Sequence, residues 1–407
     1  MARGSLLNRL YRFTWRYKMT PPGKLLTAMI GVASVGTITV EVPIYQICCA
    51  FLGLIFAAEL TGSLLRPRLA VSPRWPATMT AGEETTVPVR LRNTTWRPAL
   101  EIMLTLLERP RSLRHTNGEL MLDRIGRGEE TELPLRLRAR SRGRLTLPAV
   151  DAHSTFPFNL VRIPGGQSET HELLVRPAFA PLRLTRLPSD AFAEVGEYSP
   201  SGRSGESIEY LGNREYTPGE PVRRLDVRAW ARVGHPVVRE YQDEQGSRLG
   251  IVVDTRLPAK RRKAAAERME AAISLAAGIA ASLLDTGYDV GLLATGTDLY
   301  AFDRSETDRL DTVLDLLGEI EPTPYDSLGR MAEDLIDRAE RLAGLFVVLA
   351  DWDESRERLL KKLDEAGVMC RVVLATDPRT TLALPETAIE YDTVDAGAVR
   401  RGEVGEL

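Results

Sequence analysis

Two charge-free runs near the N-terminus, Leu25 to Val40 and Val42 to Ala58, constrain this chain more than any other feature. Only Glu41 separates them, with Pro43 just beyond. Neither run has a polar face, so neither reads as the amphipathic helix of a soluble domain. Each is at the short end for a spanning helix, and together they read as a helical hairpin turning at Glu41-Val42-Pro43. Arg3, Arg9, Arg12, Arg16, Lys18 and Lys24 precede the first run, and Arg66, Arg68 and Arg74 follow the second. Positive charge on both flanks predicts that both ends lie in the cytoplasm. Tyr11, Trp15 and Tyr17 are placed to sit at the interface. A cleaved signal peptide is disfavoured, because no small-residue cleavage site is followed by polar sequence.

Charge is distributed unevenly. Residues 66–190 carry 20 basic and 13 acidic side chains, whereas residues 249–407 carry 19 and 31, so the two stretches face different surroundings. The chain has three Cys and four His. Cys48 and Cys49 lie in an apolar run and Cys370 in a strand-like one, which leaves neither a disulfide framework nor a Cys/His zinc site.

From Leu69 to Val175 apolar residues alternate with polar ones, as in Thr86 to Arg92, Glu132 to Arg138 and Arg144 to Leu147. Period-two alternation broken by Gly, Pro and Asn predicts antiparallel strands, and about 110 residues of this kind make an Ig-like β-sandwich. The outward arginines read as a solvated face, with contact to anionic lipid headgroups as the other reading.

Residues 198–241 contain a turn signal, Thr217-Pro218-Gly219-Glu220, followed by Arg223, Arg224, Arg228 and Arg232. Glu206, Glu209, Glu215, Glu220 and Asp226 lie close by in sequence. An arginine–carboxylate network pinning this segment to a neighbouring domain is the structural expectation; a partner or phosphate surface is the alternative.

This segment resembles the signature of the bacterial domain of unknown function 58 family: Gly-Glu, then Leu-Arg-x-Tyr-x-Pro-Gly-Asp, then Arg-x-Ile-x-Trp-x-x-Ser-Ala-Arg. Gly205 and Glu206 match its opening. Arg214, Tyr216, Pro218 and Gly219 match the turn, with Glu220 in place of Asp. Arg224 or Arg223, then Leu225, Ala231 and Arg232 match the end. Val227 stands where the family has Trp and Trp230 where it has Ser, so Trp230 is a candidate to fill the missing indole's volume. Ser141-Arg142-Gly143-Arg144 and Thr155 to Leu160 are similar to two further family elements. The resemblance implies a membrane hairpin, a β-rich segment and a von Willebrand factor A-like domain.

From Leu249 onward, strand-like and helix-like runs alternate. Strands are expected at Leu249–Val253, Asp289–Thr295, Leu299–Phe302, Leu345–Ala350 and Cys370–Ala375. Helices are expected at Ala264–Leu284, on the stripe Leu310, Val313, Leu314, Leu317 and Ile320, on the stripe Leu328 to Leu342, and around Leu359, Leu360 and Leu363. This rhythm predicts an α/β, Rossmann-like, mainly parallel sheet covered on both faces. Ligands of such sheets bind outside the carboxyl ends of the strands, where Asp254 and Asp351 each follow a strand.

The order resembles a von Willebrand factor A-like domain, which implies a Mg²⁺ site built from Asp-x-Ser-x-Ser, a Thr and a second Asp. Here Arg256 and Pro258 replace the two Ser, and Tyr325 aligns with the Thr, with Thr323 nearby. Only Asp254 and Asp351 remain, so the adhesion-type metal site is degenerate. The expectation is a salt-bridged, metal-free edge neutralised by Arg256, with no cofactor.

No catalytic residues are expected. The chain has no P-loop and no Gly-x-Ser-x-Gly, and His115, His153, His171 and His235 are scattered. The expected division is a basic N-terminus and hairpin at 1–66, a β-sandwich at 67–180, a signature connector at 181–248, the A-like domain at 249–395 and a tail at 396–407. The resulting expectation is a multi-pass protein of the inner (plasma) membrane with cytoplasmic soluble domains, a non-enzymatic scaffold that binds lipid and protein but not nucleic acid. The family resemblance implies a MoxR-type AAA+ ATPase as partner, in assembly or maturation of complexes. A metal-dependent ligand-binding receptor and a hydrolase using Asp254 and Asp351 are the competing readings.

Overall fold

The computed structural model describes residues 14–36, 44–108, 110–188, 210–216, 225–241, 248–257, 262–295, 299–302, 310–325, 328, 332–339, 342–377 and 391–407. The chain divides into two compact units, Met1–Arg176 and Pro177–Leu407.

The first unit opens with a π-helical turn, Thr14–Lys18, and two helices, α1 (Pro21–Gly36) and α2 (Ile44–Leu64). At 1.5 Å per residue, α2 is about 31 Å long and matches a hydrocarbon core of about 30 Å, whereas α1 reaches only about 24 Å. Among the described residues, α2 is the one helix long and apolar enough to cross a membrane. The turn expected at Glu41-Val42-Pro43 lies outside the described residues. The second helix outruns its charge-free stretch and runs through Glu59, which is paired with Lys18 at 2.5 Å.

Among the described residues, eleven strands follow in this unit. β1 (Leu69–Pro73), β3 (Glu84–Asn93), β7 (Glu130–Ala139) and β5 (Leu113–His115) form one sheet, in the order β1-β3-β7-β5. β10 (Ile163–Gln167), β9 (Val150–Ser154), β4 (Ala99–Leu106) and β6 (Leu120–Ile125) form a second, in the order β10-β9-β4-β6. β2 (Thr78–Thr80), β11 (His171–Arg176) and β8 (Gly143–Leu147) form a third. The alternation decides which face is buried: Val87, Val89 and Leu91 of β3 and Leu135 and Leu137 of β7 enter one core with Ile102 and Leu104 of β4. The intervening arginines turn outward into cross-strand pairs, Arg90–Glu130 at 2.6 Å and Arg136–Glu84 at 3.7 Å. These pairs are half-exposed, so they contribute little to stability. Asn93, at the end of β3, is buried and donates from Nδ2 to the carbonyls of Arg97, Ile125 and Gly126.

The segment Thr155 to Leu160 holds the start of α1. Thr20 donates its backbone N–H to the Leu160 carbonyl at 3.2 Å and its hydroxyl to the Asn159 carbonyl. Arg162 N–H reaches the Lys18 carbonyl at 2.7 Å. Leu160, Val161 and Ile163 pack with Ala58 of α2, and Leu26 of α1 packs against them.

The second unit contains the hairpin β12 (Tyr210–Glu215) and β13 (Val237–Tyr241), antiparallel, with helix α3 (Val227–Val233) between them in sequence. Its main sheet comprises β14 (Arg248–Val253), β15 (Asp289–Thr295), β16 (Leu299–Phe302), β17 (Gly344–Leu349), β18 (Cys370–Thr376) and β19 (Tyr391–Asp395). The order is β16-β15-β14-β17-β18-β19, and every neighbouring pair is parallel except β15 with β16. The helices among the described residues around this sheet are α4 (Arg262–Asp285), α5 (Leu310–Glu319), α6 (Ala332–Ala339), α7 (Glu354–Glu365) and α8 (Ala396–Arg401).

Period two again assigns the faces. Ile251, Val253, Phe346 and Val348 join a core with α4 and α5, while Val252, Leu345, Val347 and Leu349 join another with α6 and α7. The sheet is therefore covered on both sides, as the near-continuous apolar strands require. The chain leaves β14 towards β15 on one side, and β17 continues towards β18 on the other. The reversal of order falls between β14 and β17.

Gly23 marks the tightest approach of α1 to the sandwich: a Cβ there would lie 2.0 Å from the Leu160 carbonyl oxygen. At Gly31, in the same helix, a Cβ meets nothing within 4 Å. Gly23→Ala should lower the thermal midpoint of the detergent-solubilised protein, at a cost of about 1–3 kcal/mol from overpacking against backbone. Gly31→Ala should leave it unchanged or slightly higher. Equal midpoints for the two variants would mean that α1 does not dock on this loop.

Candidate functional site

The reversal point between β14 and β17 is where an open α/β sheet presents a crevice at its carboxyl edge. Asp254 follows β14, and its backbone N–H donates to the Val348 carbonyl at 3.0 Å, holding it beside the end of β17. Its side chain is 1% exposed. Oδ1 accepts the Arg256 backbone N–H at 3.0 Å. Oδ2 accepts Nε and Nη2 of Arg356, at 2.9 and 2.5 Å.

Arg356 lies in the first turn of α7 and its side chain is 2% exposed. Its remaining arm, Nη1, donates to Asp353 Oδ2 at 2.5 Å, the same oxygen that takes Nη1 of Arg256 at 2.5 Å. Asp353 Oδ1 caps the helix, accepting the N–H groups of Ser355 and Arg356. Two aspartates and two arginines thus form one continuous chain: Asp254, Arg356, Asp353, Arg256. A second pairing lies at the same edge. Arg268 of α4, 4% exposed, donates from Nε to the Ala350 carbonyl at 2.7 Å and meets Asp351 Oδ2 at 3.5 Å.

Burial pushes the Asp254 carboxyl up, opposed first by the Arg356 charge and then by the hydrogen bonds it accepts. Both of its oxygens face N–H donors, and a protonated carboxyl would turn its O–H towards groups that cannot accept it, so the geometry holds the carboxylate form. Burial also opposes the charge on Arg356, but the Asp254 and Asp353 carboxylates outweigh it and raise its pKa. For Asp353 burial is again the largest influence and raises the pKa; the Arg356 charge and hydrogen bonds, with Arg256, overcome it and hold the carboxyl below the usual range.

The arrangement differs from the sequence expectation in two respects. Arg256 was expected to neutralise the strand-end aspartates, but its side chain goes to Asp353, while Arg356 occupies Asp254 and Arg268 meets Asp351. The reason is reach: the backbone of Arg256 is already bonded to Asp254 and bridges to Thr323, which turns its side chain towards the start of α7. Thr323, rather than Tyr325, is the residue brought to this edge. It is buried and exchanges backbone hydrogen bonds with Thr255 and Leu257, whereas Tyr325 is exposed. Pro258 lies outside the described residues.

These residues do not fit a hard divalent cation. Such an ion needs free carboxylate or hydroxyl oxygens in an octahedral set. Here Oδ2 of Asp254 carries two guanidinium N–H groups and Oδ1 a backbone N–H.

The signature residues are only partly placed. Gly205, Glu206, Pro218, Gly219, Glu220 and Arg224, with Arg223, lie outside the described residues. Arg214 and Tyr216 belong to β12 and its end. Asp226 caps α3, accepting the N–H groups of Arg228 and Ala229. Arg232 is exposed, with Nε directed to the Arg228 carbonyl at 3.5 Å. Trp230 is 40% exposed and Val227 is exposed too, so Trp230 fills no core there. The turn of α3 places both on its outer side.

Removing one partner of a buried ion pair leaves an uncompensated charge, whereas removing both leaves none. Arg356→Met should cost about 3–5 kcal/mol in denaturant unfolding, and Asp254→Leu in that background should recover a large part of the loss. Additive losses in the double variant would mean that the two side chains do not act as a pair.

Residues 212–393 match the model of a family described as a protein of unknown function, DUF58. The match runs from β12 to β19 and contains the whole arginine–aspartate chain. Uncharacterized proteins of Mycobacterium bovis and Mycobacterium tuberculosis are each 29% identical over 157 residues, covering 38% of this chain. The chain spans about half the length of these curated relatives, 48%. Among solved structures, the CARDB domain of a Pyrococcus furiosus protein in complex with di-metal ions matches at 14% identity. It covers 27% of this chain and 89% of its own, with a TM-score of 0.20. A secreted serine protease, VesC, of Vibrio cholerae matches at 8% identity, 30% and 26% coverage and a TM-score of 0.20. Scores that low support no inference about fold or function.

Proposed function

We propose that this protein is a membrane-anchored, non-enzymatic interaction protein whose α/β unit is a von Willebrand factor A-like domain with its cation edge replaced by arginine–aspartate pairs. The observation that carries the reading is the occupation of Asp254 by Arg356 at the reversal point of the sheet. A buried strand-end carboxylate that accepts two guanidinium N–H groups and a backbone N–H offers no exposed face to a substrate or an ion. The strand order, with one antiparallel strand at the β16 edge, and the match of residues 212–393 to the DUF58 model support the A-like assignment.

In this reading both N-terminal helices enter the plasma membrane as a hairpin, with the two soluble parts in the cytoplasm. The apolar α2 and the basic flanks on both sides of the pair support it. The partner we propose is a MoxR-type AAA+ ATPase, on the strength of the family resemblance, with the acidic balance of residues 249–407 suited to a basic contact surface.

Affinity capture of the full chain from native membranes tests the proposal. An AAA+ ATPase should co-purify in detergent and be released by raised salt, as an electrostatic contact would be. Its consistent absence from repeated captures, under crosslinking as well, would remove the partnership.

A further inference from the structure

The first unit holds a cavity of about 480 Å³ at the base of the two N-terminal helices. Lys18, Glu59 and Arg66 line it from the helical side, and Asp151, His153 and Arg162 from the second sheet and the loop beyond it. Its carboxylates are already engaged. Glu59 pairs with Lys18 at 2.5 Å, and Asp151 Oδ2 meets His153 Nδ1 at 2.9 Å.

The arginines and the histidine are less completely engaged. Arg66 directs Nε to the Pro164 carbonyl at 3.0 Å and meets no carboxylate among the described residues. Arg162 reaches Glu119 through Nη2 at a long 3.4 Å, while its Nε is buried without a hydrogen-bond partner. His153 is 2% exposed, and its Nε2 is also buried and unpartnered. Buried polar atoms are rarely left unbonded, because each costs about 1–3 kcal/mol. Both atoms belong to side chains that line one cavity, beside an arginine that meets no carboxylate among the described residues, and an acceptor rich in oxygen would complement all three.

We propose that this cavity binds a phosphate group, carried by a phospholipid headgroup or free in solution. Arg66 and Arg162 supply the charge and the directed N–H donors. His153, oriented by Asp151 at Nδ1, leaves Nε2 as the ring nitrogen available to a phosphoryl oxygen. Thr105, also in the lining, supplies a small hydroxyl at the wall. The lipid source rests on the membrane reading given above, because Glu59, Ser63 and Arg66 belong to the end of α2, where headgroups would lie; the free-phosphate source does not.

The test uses the full chain purified in a non-ionic detergent, with native mass spectrometry after exchange into micelles containing phosphatidylglycerol or phosphatidylcholine. A parallel titration follows inorganic phosphate by its ³¹P resonance. Retention of one phospholipid per chain, reduced about tenfold or more in Arg66→Ala/Arg162→Ala and in His153→Phe but not in the surface control Arg90→Ala, supports the proposal with lipid as source. Saturable inorganic phosphate binding with the same losses supports it with soluble phosphate as source. Binding of neither, or binding equal in all variants, overturns it; thermal melts of each variant exclude unfolding as the cause of a loss. Vesicle flotation of the same protein reads the membrane assignment separately. A chain that floats yet binds no phosphate contradicts this inference alone, and one that binds phosphate but stays in the soluble fraction contradicts only the anchoring.

Discussion

A guanidinium placed where two parallel strands end must find its counter-charges within a few ångströms, because no water reaches it to share the load. Arg356 finds two, Asp254 at the end of β14 and Asp353 at the start of α7. The pairing ties together elements about a hundred residues apart and fixes the roll of α7 on the sheet. It also decides the chemistry of the edge. A carboxylate at a strand end can serve as a ligand, a base or a structural anion, and the donors facing it determine which. Here every oxygen of Asp254 faces a donor, which favours a structural anion over a ligand or a base.

Within the first unit a different constraint operates. The N-terminal helices are apolar and have no polar face to solvate, yet α1 begins against the backbone groups of a loop. Backbone N–H and carbonyl groups at residues 18–20 and 159–162 satisfy one another, and Gly23 lets the helix come close enough for that to happen. The Thr155 to Leu160 stretch is thus a docking loop. Asn159 adopts positive φ within it, a conformation that asparagine tolerates better than most residues.

Much of the architecture was legible in the sequence, since it rests on periodicity. The alternation in residues 84–93 and 130–139 gave strands with the right faces, and the apolar runs at 249–253 and 345–350 gave buried parallel strands. The arginine that settles the site was not anticipated, although a signal was present. Arg356 precedes Leu359, Leu360 and Leu363 at the spacing of one helical face, and Arg268 shares a face with Ala265, Ala272 and Leu275 in the same way. An arginine on an apolar stripe has to meet a buried acid, and the strand-end aspartates were the available ones. Which arginine reaches which aspartate depends on how α7 is set on the sheet. That is tertiary information, and residue spacing alone pointed to the nearer Arg256.

The second helix was also longer than its charge-free run implied, because glutamate is itself a good helix former and Glu59 does not interrupt the helix. The signature segment was recognised from its motif, but the motif specified residue types and not their contacts. Asp226 turned out to cap a helix, a role indicated by its position before Val227–Val233 rather than by the arginines around it.

The central claim is that an arginine holds the position a cation would need. Calorimetric titration of the full chain in detergent with Mg²⁺ and then Mn²⁺, alongside Asp254→Ala, tests it most directly. The account predicts no saturable heat in either protein. Saturable binding by the wild-type chain that disappears in Asp254→Ala would contradict it.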